Sequence, residues 1–175
     1  DCAPAALKDG EGFVWLHLNL ADVHVGAFLE SFPGLTDAAR AALTTHETHA
    51  TLAADDRLLF GTLVDFQREF DAATRDIGWL HFALSNSIII TTRLQPIRSI
   101  DPVRTSIEKN AARYARPMQI FEALVAEFQR GIMSTVLELT DELNVIEDIV
   151  YDSELRDERR RLWHRSGGWS SGYTG

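Results

Sequence analysis

Cysteine is almost absent from this sequence, and its absence excludes several classes of protein. Cys2 is the only cysteine among 175 residues, so a disulfide framework and a cysteine-based zinc site are both excluded. The phosphate-binding patterns GxxxxGK[ST] and GxGxxG are missing, as is the GxSxG pattern of a nucleophile elbow. We therefore expect that the chain is not an enzyme and that it binds no organic cofactor.

Long apolar runs and basic clusters are also scarce. No run approaches the roughly 18 apolar residues of a membrane helix, and no signal peptide is recognisable. The formal net charge is −9, and no basic cluster occurs along the chain before Arg156. Because binding to phosphate backbones requires a basic patch, we expect no nucleic-acid partner. The chain as given is expected to be soluble, and its single cysteine suits a reducing cytosol.

The dominant feature that is present is an apolar pattern at residues 118–152. Its apolar positions recur at steps of three and four residues, which predicts a long helix. They are Met118, Phe121, Val125, Phe128, Ile132, Val136, Leu139, Leu143, Ile146 and Val150. A second row includes Ile120 and Leu124, so the helix is expected to have at least two neighbours. It either breaks near Gly131 into a hairpin or projects as an arm.

The outer face of this helix is strongly acidic. Arg130 is the only base on it. The acidic residues that define the candidate arm are Glu138, Asp141, Glu142, Glu147, Asp148 and Asp152. Such a face is compatible with simple solvation, because like charges spread along a helix need only water and salt. The alternative is that its negative potential attracts a cationic ligand.

The rest of the chain alternates between strand and helix patterns. Strands are predicted at residues 13–20, 49–54, 57–67, 77–84 and 88–93, with Gly61 as a possible bulge. Helices are predicted at residues 23–32, 37–45 and 101–110, with Asp22, Thr36 and Asp101 as their N-caps. This order predicts an α/β sandwich in the first 95 or so residues, followed by helices only.

Histidines provide the only candidate metal ligands that the residues themselves suggest. His46 and His49 lie three apart and, with Glu47, could supply ligands to zinc. The order is not HExxH, and the segment leaves a helix for a strand, so the shared helix face is lost. His17 and His81 lie beside tryptophans on strands, and we expect them to be half-buried and hydrogen-bonded.

Four segments in order resemble one known family. They are FVWLHLNL near the start, ADDRLLFGTLVDF, IIITTRLQPIRSIDPVRTSIEKN and the acidic ELNVIEDIVYD. Together they resemble the N-terminal cytoplasmic domain of the CorA-type divalent-cation transporter family. The segment TTRLQPIRSIDPVR is more similar to the zinc-transporting, ZntB-like branch than to the magnesium branch.

The resemblance implies an α/β (α+β) protein. The expected fold is an αβα sandwich with a mixed, largely antiparallel sheet, followed by a long helical arm that forms a hairpin. It also implies a homopentamer in the inner (plasma) membrane, with this domain on the cytoplasmic side. The stalk and membrane helices of that transporter are absent from the sequence. Asp101 matches the family's Asp in the DPVR segment, which implies a weakly bound Zn²⁺ or Mg²⁺ there; its simpler role is a helix cap.

These observations predict three segments and a function. Residues 1–98 are expected to form the sandwich and residues 99–162 the arm, whereas residues 163–175 are expected to be a disordered tail or an aberrant end. The expected function is ion sensing and control of the electrostatic field at the pore mouth of a CorA/ZntB-like zinc or magnesium transporter. The alternative is a free-standing module that docks a partner helix and binds no metal.

Overall fold

A five-stranded mixed sheet forms the centre of the fold. The computed structural model describes residues 12–46, 48–68 and 75–166. The strands are β1 (Val14–Asn19), β2 (Thr51–Ala54), β3 (Leu59–Phe66), β4 (Ile77–Leu84) and β5 (Ile88–Arg93). Their spatial order is β1-β5-β4-β3-β2. The β1–β5 pair is parallel, and the other three pairs are antiparallel. The predicted β4–β5 hairpin is confirmed.

Helices cover both faces of this sheet. They are α1 (His24–Ser31), α2 (Asp37–Thr44), α3 (Ile100–Lys109) and α4 (Pro117–Ser166), with a single 3₁₀ turn at Ala111–Arg113. One core joins α1 and α2 to the face that carries Phe60, Ala83 and Ile90. The other joins α3 and the start of α4 to the face that carries Phe82 and Ile89. The predicted αβα sandwich with a mixed, largely antiparallel sheet is confirmed.

Glycine at position 61 reflects a close approach of two backbones. Pairing of β3 with both β2 and β4 continues in register through Gly61, so the predicted bulge does not form. A Cβ atom at Gly61 would lie 2.1 Å from the carbonyl oxygen of Thr51 on β2. Only glycine therefore allows the edge strand β2 to come this close.

The helix starts agree with the sequence prediction in part. Thr36 caps α2 as expected, because its side chain accepts a hydrogen bond from the Ala39 amide. The Asp22 side chain accepts from the His24 amide at the start of α1. The predicted N-cap at Asp101 is wrong, since α3 begins at Ile100 and Asp101 lies inside its first turn. The buried Asp65 carboxylate accepts from the Ser99 amide at 3.1 Å and so fixes this earlier start.

Helix α4 is continuous from Pro117 to Ser166, which corrects two expectations. Gly131 does not break it, and residues 117–166 contain no hairpin. A Cβ at Gly131 would lie 3.2 Å from the Phe66 ring, so glycine here accommodates the end of β3. The helix also continues past Leu162, where structure was expected to end; residues 167–175 of the predicted tail lie outside the described residues.

The first part of α4 buries the second of its two apolar rows. Ile120 and Leu124 are each 1% exposed, whereas Met118 in the first row is exposed. Gln119 begins the helix by accepting hydrogen bonds from the Ala115 and Arg116 amides. The line that faces the sheet is therefore Pro117, Ile120, Leu124, Phe128 and Gly131, at helical spacing.

The described chain separates into two compact units at Ile132 and Met133. The sequence placed the division near residue 98 instead. The difference arises because α3 and the first part of α4 contribute Ile100, Val103 and Leu124 to a core they share with the sheet.

Beyond Met133, the side chains of α4 are exposed. Among residues 133–165, all are exposed except Thr135, which is partly buried. The apolar members of this exposed set include Met133, Val136, Leu137, Leu139, Leu143, Val145, Ile146, Ile149 and Val150. The exposed apolar face that the sequence predicts is confirmed here. None of the described helices combines the length and the apolar character that a bilayer span requires.

Candidate functional site

Two basic residues are brought together: Arg68, just after the end of β3, and Arg98, just before the start of α3. The Arg68 amide donates to the Pro96 carbonyl, and the Arg98 amide donates to the Phe66 carbonyl, each at 2.9 Å. An isolated bridge between Gln67 and Ile97 continues this pairing. These backbone bonds extend the sheet by a short two-stranded segment and hold Arg68 and Arg98 on the same side of α3.

A cavity of about 840 Å³ opens beside this segment. It is lined by Arg68, Arg98, Asp101, Pro102, Thr105, Ser106, Lys109, Asn110, Arg113, Glu127 and Arg130. Five of these side chains are cationic (Arg68, Arg98, Lys109, Arg113 and Arg130) and two are anionic (Asp101 and Glu127), which leaves a net charge of +3. We call this feature the basic cavity. It is located between α3 and the first part of α4.

Both carboxylates of the basic cavity are paired with arginine. Asp101 forms an ion pair with Arg68. Glu127 accepts a hydrogen bond from Arg130 at 2.6 Å, and the Glu127 side chain is only 14% exposed. The two acids are therefore already neutralised by neighbours within the cavity.

The other three cations are differently placed. Within the described residues, Arg98, Lys109 and Arg113 have no carboxylate partner at ion-pair distance. The Arg98 guanidinium lies over the Phe66 ring, 5.6 Å from its centroid, and that of Arg113 lies 6.0 Å from the Tyr114 centroid. Stacking holds a guanidinium by its face and leaves its N–H edges available to a ligand.

A buried carboxylate supports the wall of this cavity. Asp65 is 2% exposed, and burial raises its pKa, although hydrogen bonds from Ser99 and Phe66 and the charge of Arg98 act in the opposite direction. Since its oxygens accept from the Ser99 and Phe66 amides, Asp65 ties the start of α3 to the end of β3. We assign it a structural role.

The predicted metal ligands do not converge. Asp101 lies in the basic cavity and is paired with Arg68. His46 and His49 follow α2, and Glu47 between them lies outside the described residues. Within residues 12–46, 48–68 and 75–166, no three His, Cys, Asp or Glu side chains are grouped so that they could hold a metal ion. A resident metal centre therefore does not fit the side chains that the structure describes.

Two histidines inside the sandwich are hydrogen-bonded, as the sequence predicts. Thr91 Oγ1 accepts from Trp15 Nε1 and donates to the Leu16 carbonyl, so His17 Nδ1 donates to it at 2.9 Å. His17 Nε2 then accepts from Arg93 Nε at 2.9 Å, which fixes the neutral Nδ1-protonated tautomer. Burial and the charges of Arg93 and Arg104 lower the pKa of His17 to about 4.

His81 occupies the opposite face of the sheet. It is 3% exposed and hydrogen-bonded through Nδ1 to Thr62 Oγ1 at 2.9 Å. Burial lowers its pKa, and the nearby His46 contributes in the same direction. Both buried histidines are thus held in the neutral form by their surroundings, and we assign them to the packing of the sandwich.

The six acidic residues of the predicted arm are all exposed on α4 beyond Met133. Glu138 accepts a hydrogen bond from Ser134, and Asp152 lies 3.7 Å from Arg156. Asp148 and Asp152 are one helical turn apart and border a shallow groove together with Ile149 and Tyr151. This spacing allows two carboxylates to face the same solvated cation.

The basic cavity is what the sequence prediction missed. Its five cations are scattered between positions 68 and 130, so no cluster is visible along the chain before Arg156. The pairing of residues 66–68 with 96–98 brings Arg68 and Arg98 together, and the other three cations come from α3, the 3₁₀ turn and α4. The one available signal was the four basic residues spaced through residues 93–109, two of which, Arg98 and Lys109, line the cavity.

Comparison with known proteins identifies the family. A family model described as CorA-like Mg²⁺ transporter protein matches residues 10–165. The chain belongs to this family. A comparison with curated proteins gives no significant match.

Three solved structures share the fold. Full-length CmaX matches with a TM-score of 0.75 and 20% identity over 88% of this chain and 50% of its own. The ZntB cytoplasmic domain from Vibrio parahaemolyticus RIMD 2210633 matches with a TM-score of 0.65 and 16% identity, over 78% of this chain and 57% of its own. The soluble domain of CorA from Methanocaldococcus jannaschii matches with a TM-score of 0.61 and 15% identity, over 80% of this chain and 56% of its own.

The chain spans about half the length of these structures. At such identities the matches establish the fold, and they do not separate a zinc branch from a magnesium branch. The sequence resemblance is therefore confirmed at the level of the CorA-like family.

Proposed function

We propose that this chain is the cytoplasmic part of a CorA/ZntB-like divalent-cation transporter and that its acidic helix attracts Zn²⁺ or Mg²⁺ near the pore mouth. The observation that carries the proposal is the family match over residues 10–165. Likeness to a ZntB cytoplasmic domain and to a soluble CorA domain supports the same assignment. The intact protein is proposed to be a homopentamer in the inner (plasma) membrane, with this domain on the cytoplasmic side.

The charge distribution along α4 supports a role in ion attraction. Residues 133–155 contain no base, and their acidic residues are Glu138, Asp141, Glu142, Glu147, Asp148, Asp152 and Glu154. All of these are exposed. Exposed carboxylates bind hard divalent cations weakly through oxygen and raise their local concentration. Divalent ions are the cargo in this proposal, so no closed, resident site is required.

Asp101 has a smaller part in this proposal than the sequence suggested. In the family resemblance it is a ligand of a regulatory ion, yet here it is paired with Arg68 inside a cavity of net charge +3. A divalent cation at Asp101 must displace Arg68 and approach four further cations, of which Arg130 is paired with Glu127. We therefore place ion attraction on the acidic helix, with Glu147, Asp148 and Asp152 at its centre.

Calorimetric titration with Zn²⁺ and with Mg²⁺ tests the proposal. The chain should bind both ions with dissociation constants of about 0.1–1 mM, the range of weak carboxylate sites. The variant Glu147→Gln/Asp148→Asn should weaken binding several-fold. The matched control Glu30→Gln/Asp56→Asn removes the same charge from exposed positions of the sandwich and should leave binding unchanged.

The alternative function is a module that docks a partner helix and binds no metal. The exposed apolar face of α4 beyond Met133 suits both functions. Metal binding is what separates them. If the wild-type chain gives no heat with either cation, or if the two double variants weaken binding equally, the ion-attraction proposal is contradicted and the docking module is favoured.

A further inference from the structure

The basic cavity is cationic within a chain that is otherwise acidic. The chain carries a net charge of −9, but the cavity collects five of its 17 basic residues, and the described residues that line it have a net charge of +3. Charges lining one concave surface reinforce each other's potential, because field lines are focused between walls of low dielectric constant. This local sign reversal indicates an anionic ligand.

The donors of the cavity match the chemistry of a phosphate group. Arg98 and Arg113 are held by aromatic faces, and their planar N–H edges suit bidentate contacts to tetrahedral oxyanions. Lys109 adds an ammonium group at the same cavity. Thr105, Ser106 and Asn110 add neutral donors along α3. Tyr114 Oη donates to Ser106 Oγ at 2.7 Å, which leaves the Ser106 hydroxyl proton available for another acceptor.

The lining also limits the kind of anion. Among the described residues that line it, none has an aromatic side chain on which a nucleobase could stack, and Pro102 is the only apolar one. Recognition must therefore come from charge and hydrogen bonds. A volume of about 840 Å³ accommodates an anion larger than a single phosphate. We propose that the basic cavity binds a compact oxyanion of the phosphate class that carries at least two negative charges.

The two carboxylates of the cavity regulate this binding. Asp101 and Glu127 hold Arg68 and Arg130 in the absence of a ligand, so an anion must compete with them for these guanidinium groups. Removing either negative charge therefore strengthens anion binding. For a cation the sign is reversed, since loss of Asp101 removes the only carboxylate on α3 that faces the cavity. Asp101→Asn thus separates the two ligand classes.

Calorimetric titration of the full chain with pyrophosphate, at low salt and without divalent cations, tests the proposal. Lys109→Gln/Arg113→Gln should weaken binding by at least about tenfold, the size expected when a charge-assisted hydrogen bond is lost. The control Arg159→Gln/Arg161→Gln removes the same charge from exposed positions near the end of α4 and should leave affinity within about twofold. Far-UV circular dichroism confirms that the variants remain folded.

A second variant and a second form of phosphate complete the experiment. Asp101→Asn should tighten pyrophosphate binding several-fold. Flotation with phosphatidylcholine vesicles, with and without phosphatidic acid, shows whether the same site also takes a lipid phosphate: capture that depends on phosphatidic acid and is lost in Lys109→Gln/Arg113→Gln assigns it to headgroups as well. Absence of binding to both forms, or equal losses in the cavity variant and the control, overturns the proposal. Titrations of the same samples with Mg²⁺ and Zn²⁺ test the transporter function separately, because they depend on Glu147 and Asp148.

Discussion

The two parts of α4 have different surroundings although they belong to one helix. Up to Ile132, one side of the helix packs on the sheet, and Ile120 and Leu124 are almost completely buried. From Met133 onward, Leu137, Leu143 and their apolar neighbours are exposed. The same type of residue at the same helical spacing therefore has opposite environments within one continuous element.

This difference shows what stabilises each part. Isolated helices are marginal in water, and most helical stability in proteins comes from packing an apolar face. The first part receives that stabilisation from the sandwich. In the second part, the ion pair between Arg156 and Asp152, at 3.7 Å, is an interaction within the helix itself. Arg165 in the last turn favours the helix through the macrodipole, but only by tenths of a kcal/mol to about 1 kcal/mol per charge.

Matched leucine truncations in the two parts should give the largest contrast. Leu124→Ala removes a side chain that is 1% exposed, and it should lower the free energy of unfolding by about 2–5 kcal/mol. Leu137→Ala removes one that is 62% exposed in the same helix, and its effect should stay within about 0.5 kcal/mol. Urea unfolding followed by circular dichroism measures both values. Similar losses for the two variants would show that the second part is packed in solution.

The pH dependence of stability should be a property of the sandwich. The pKa of His17 is lowered from 6.5 to about 4, so the unfolded state binds more protons between these values. Stability is therefore fully present above pH 6.5 and is lost as pH falls toward 4, by roughly 3 kcal/mol for this one group.

His17→Gln keeps a donor and an acceptor but cannot titrate, so it should lose most of this pH dependence. Asp65 acts in the opposite direction because its raised pKa favours the folded state as pH falls. The relevant quantity is therefore the difference in free energy of unfolding between wild type and variant, measured by urea unfolding from pH 7 to pH 4. If this difference in free energy of unfolding did not change between pH 7 and pH 4, the tautomer and the hydrogen bonds assigned to His17 would be contradicted.

Two glycines offer the next contrast, within the sandwich itself. Gly61→Ala places a Cβ 2.1 Å from the Thr51 carbonyl oxygen and should cost roughly 1–3 kcal/mol. Gly26→Ala, in the exposed first turn of α1 with no atom within 4 Å of the new Cβ, should stabilise by about 0.5–1 kcal/mol. Thermal unfolding of both variants shows directly whether each substitution raises or lowers stability. A neutral Gly61→Ala would mean that β2 is not held against β3 at this register.

Much of the sandwich was predictable because its signals are local. Alternating apolar residues identified the strands, and Thr36 identified the start of α2. The turn at residues 85–87 identified the β4–β5 hairpin. The division between sandwich and arm was not predictable in the same way, since α3 and the first part of α4 join the sheet through tertiary burial. The apolar pattern of α4 is the same on both sides of Ile132, so the sequence does not show where packing stops.

The candidate sites were predictable only in part. The acidic residues of α4 form a run in sequence, and the structure finds them exposed as expected. The basic cavity depends on residues 68, 98 and 130 meeting in space, which no linear pattern reveals. Asp101 was predicted from the family resemblance as a metal ligand, but its partner Arg68, which lies 33 positions earlier, changes the chemistry that can be inferred for it.

Two arginines of α4 provide the smallest and most specific contrast between the two parts. Arg130 pairs at 2.6 Å with Glu127, which is only 14% exposed, whereas Arg156 lies 3.7 Å from Asp152, which is 72% exposed. Arg130→Gln leaves a largely buried carboxylate without its partner and should cost about 1 kcal/mol. Arg156→Gln removes an exposed pair and should cost about 0.3 kcal/mol or less. Both effects should be compared by urea unfolding at low and high salt, because screening weakens exposed pairs far more than buried ones. If Arg156→Gln cost as much as Arg130→Gln and its cost persisted at high salt, the second part of α4 would be covered in solution, and the distinction between a packed and an exposed part of the helix would fail.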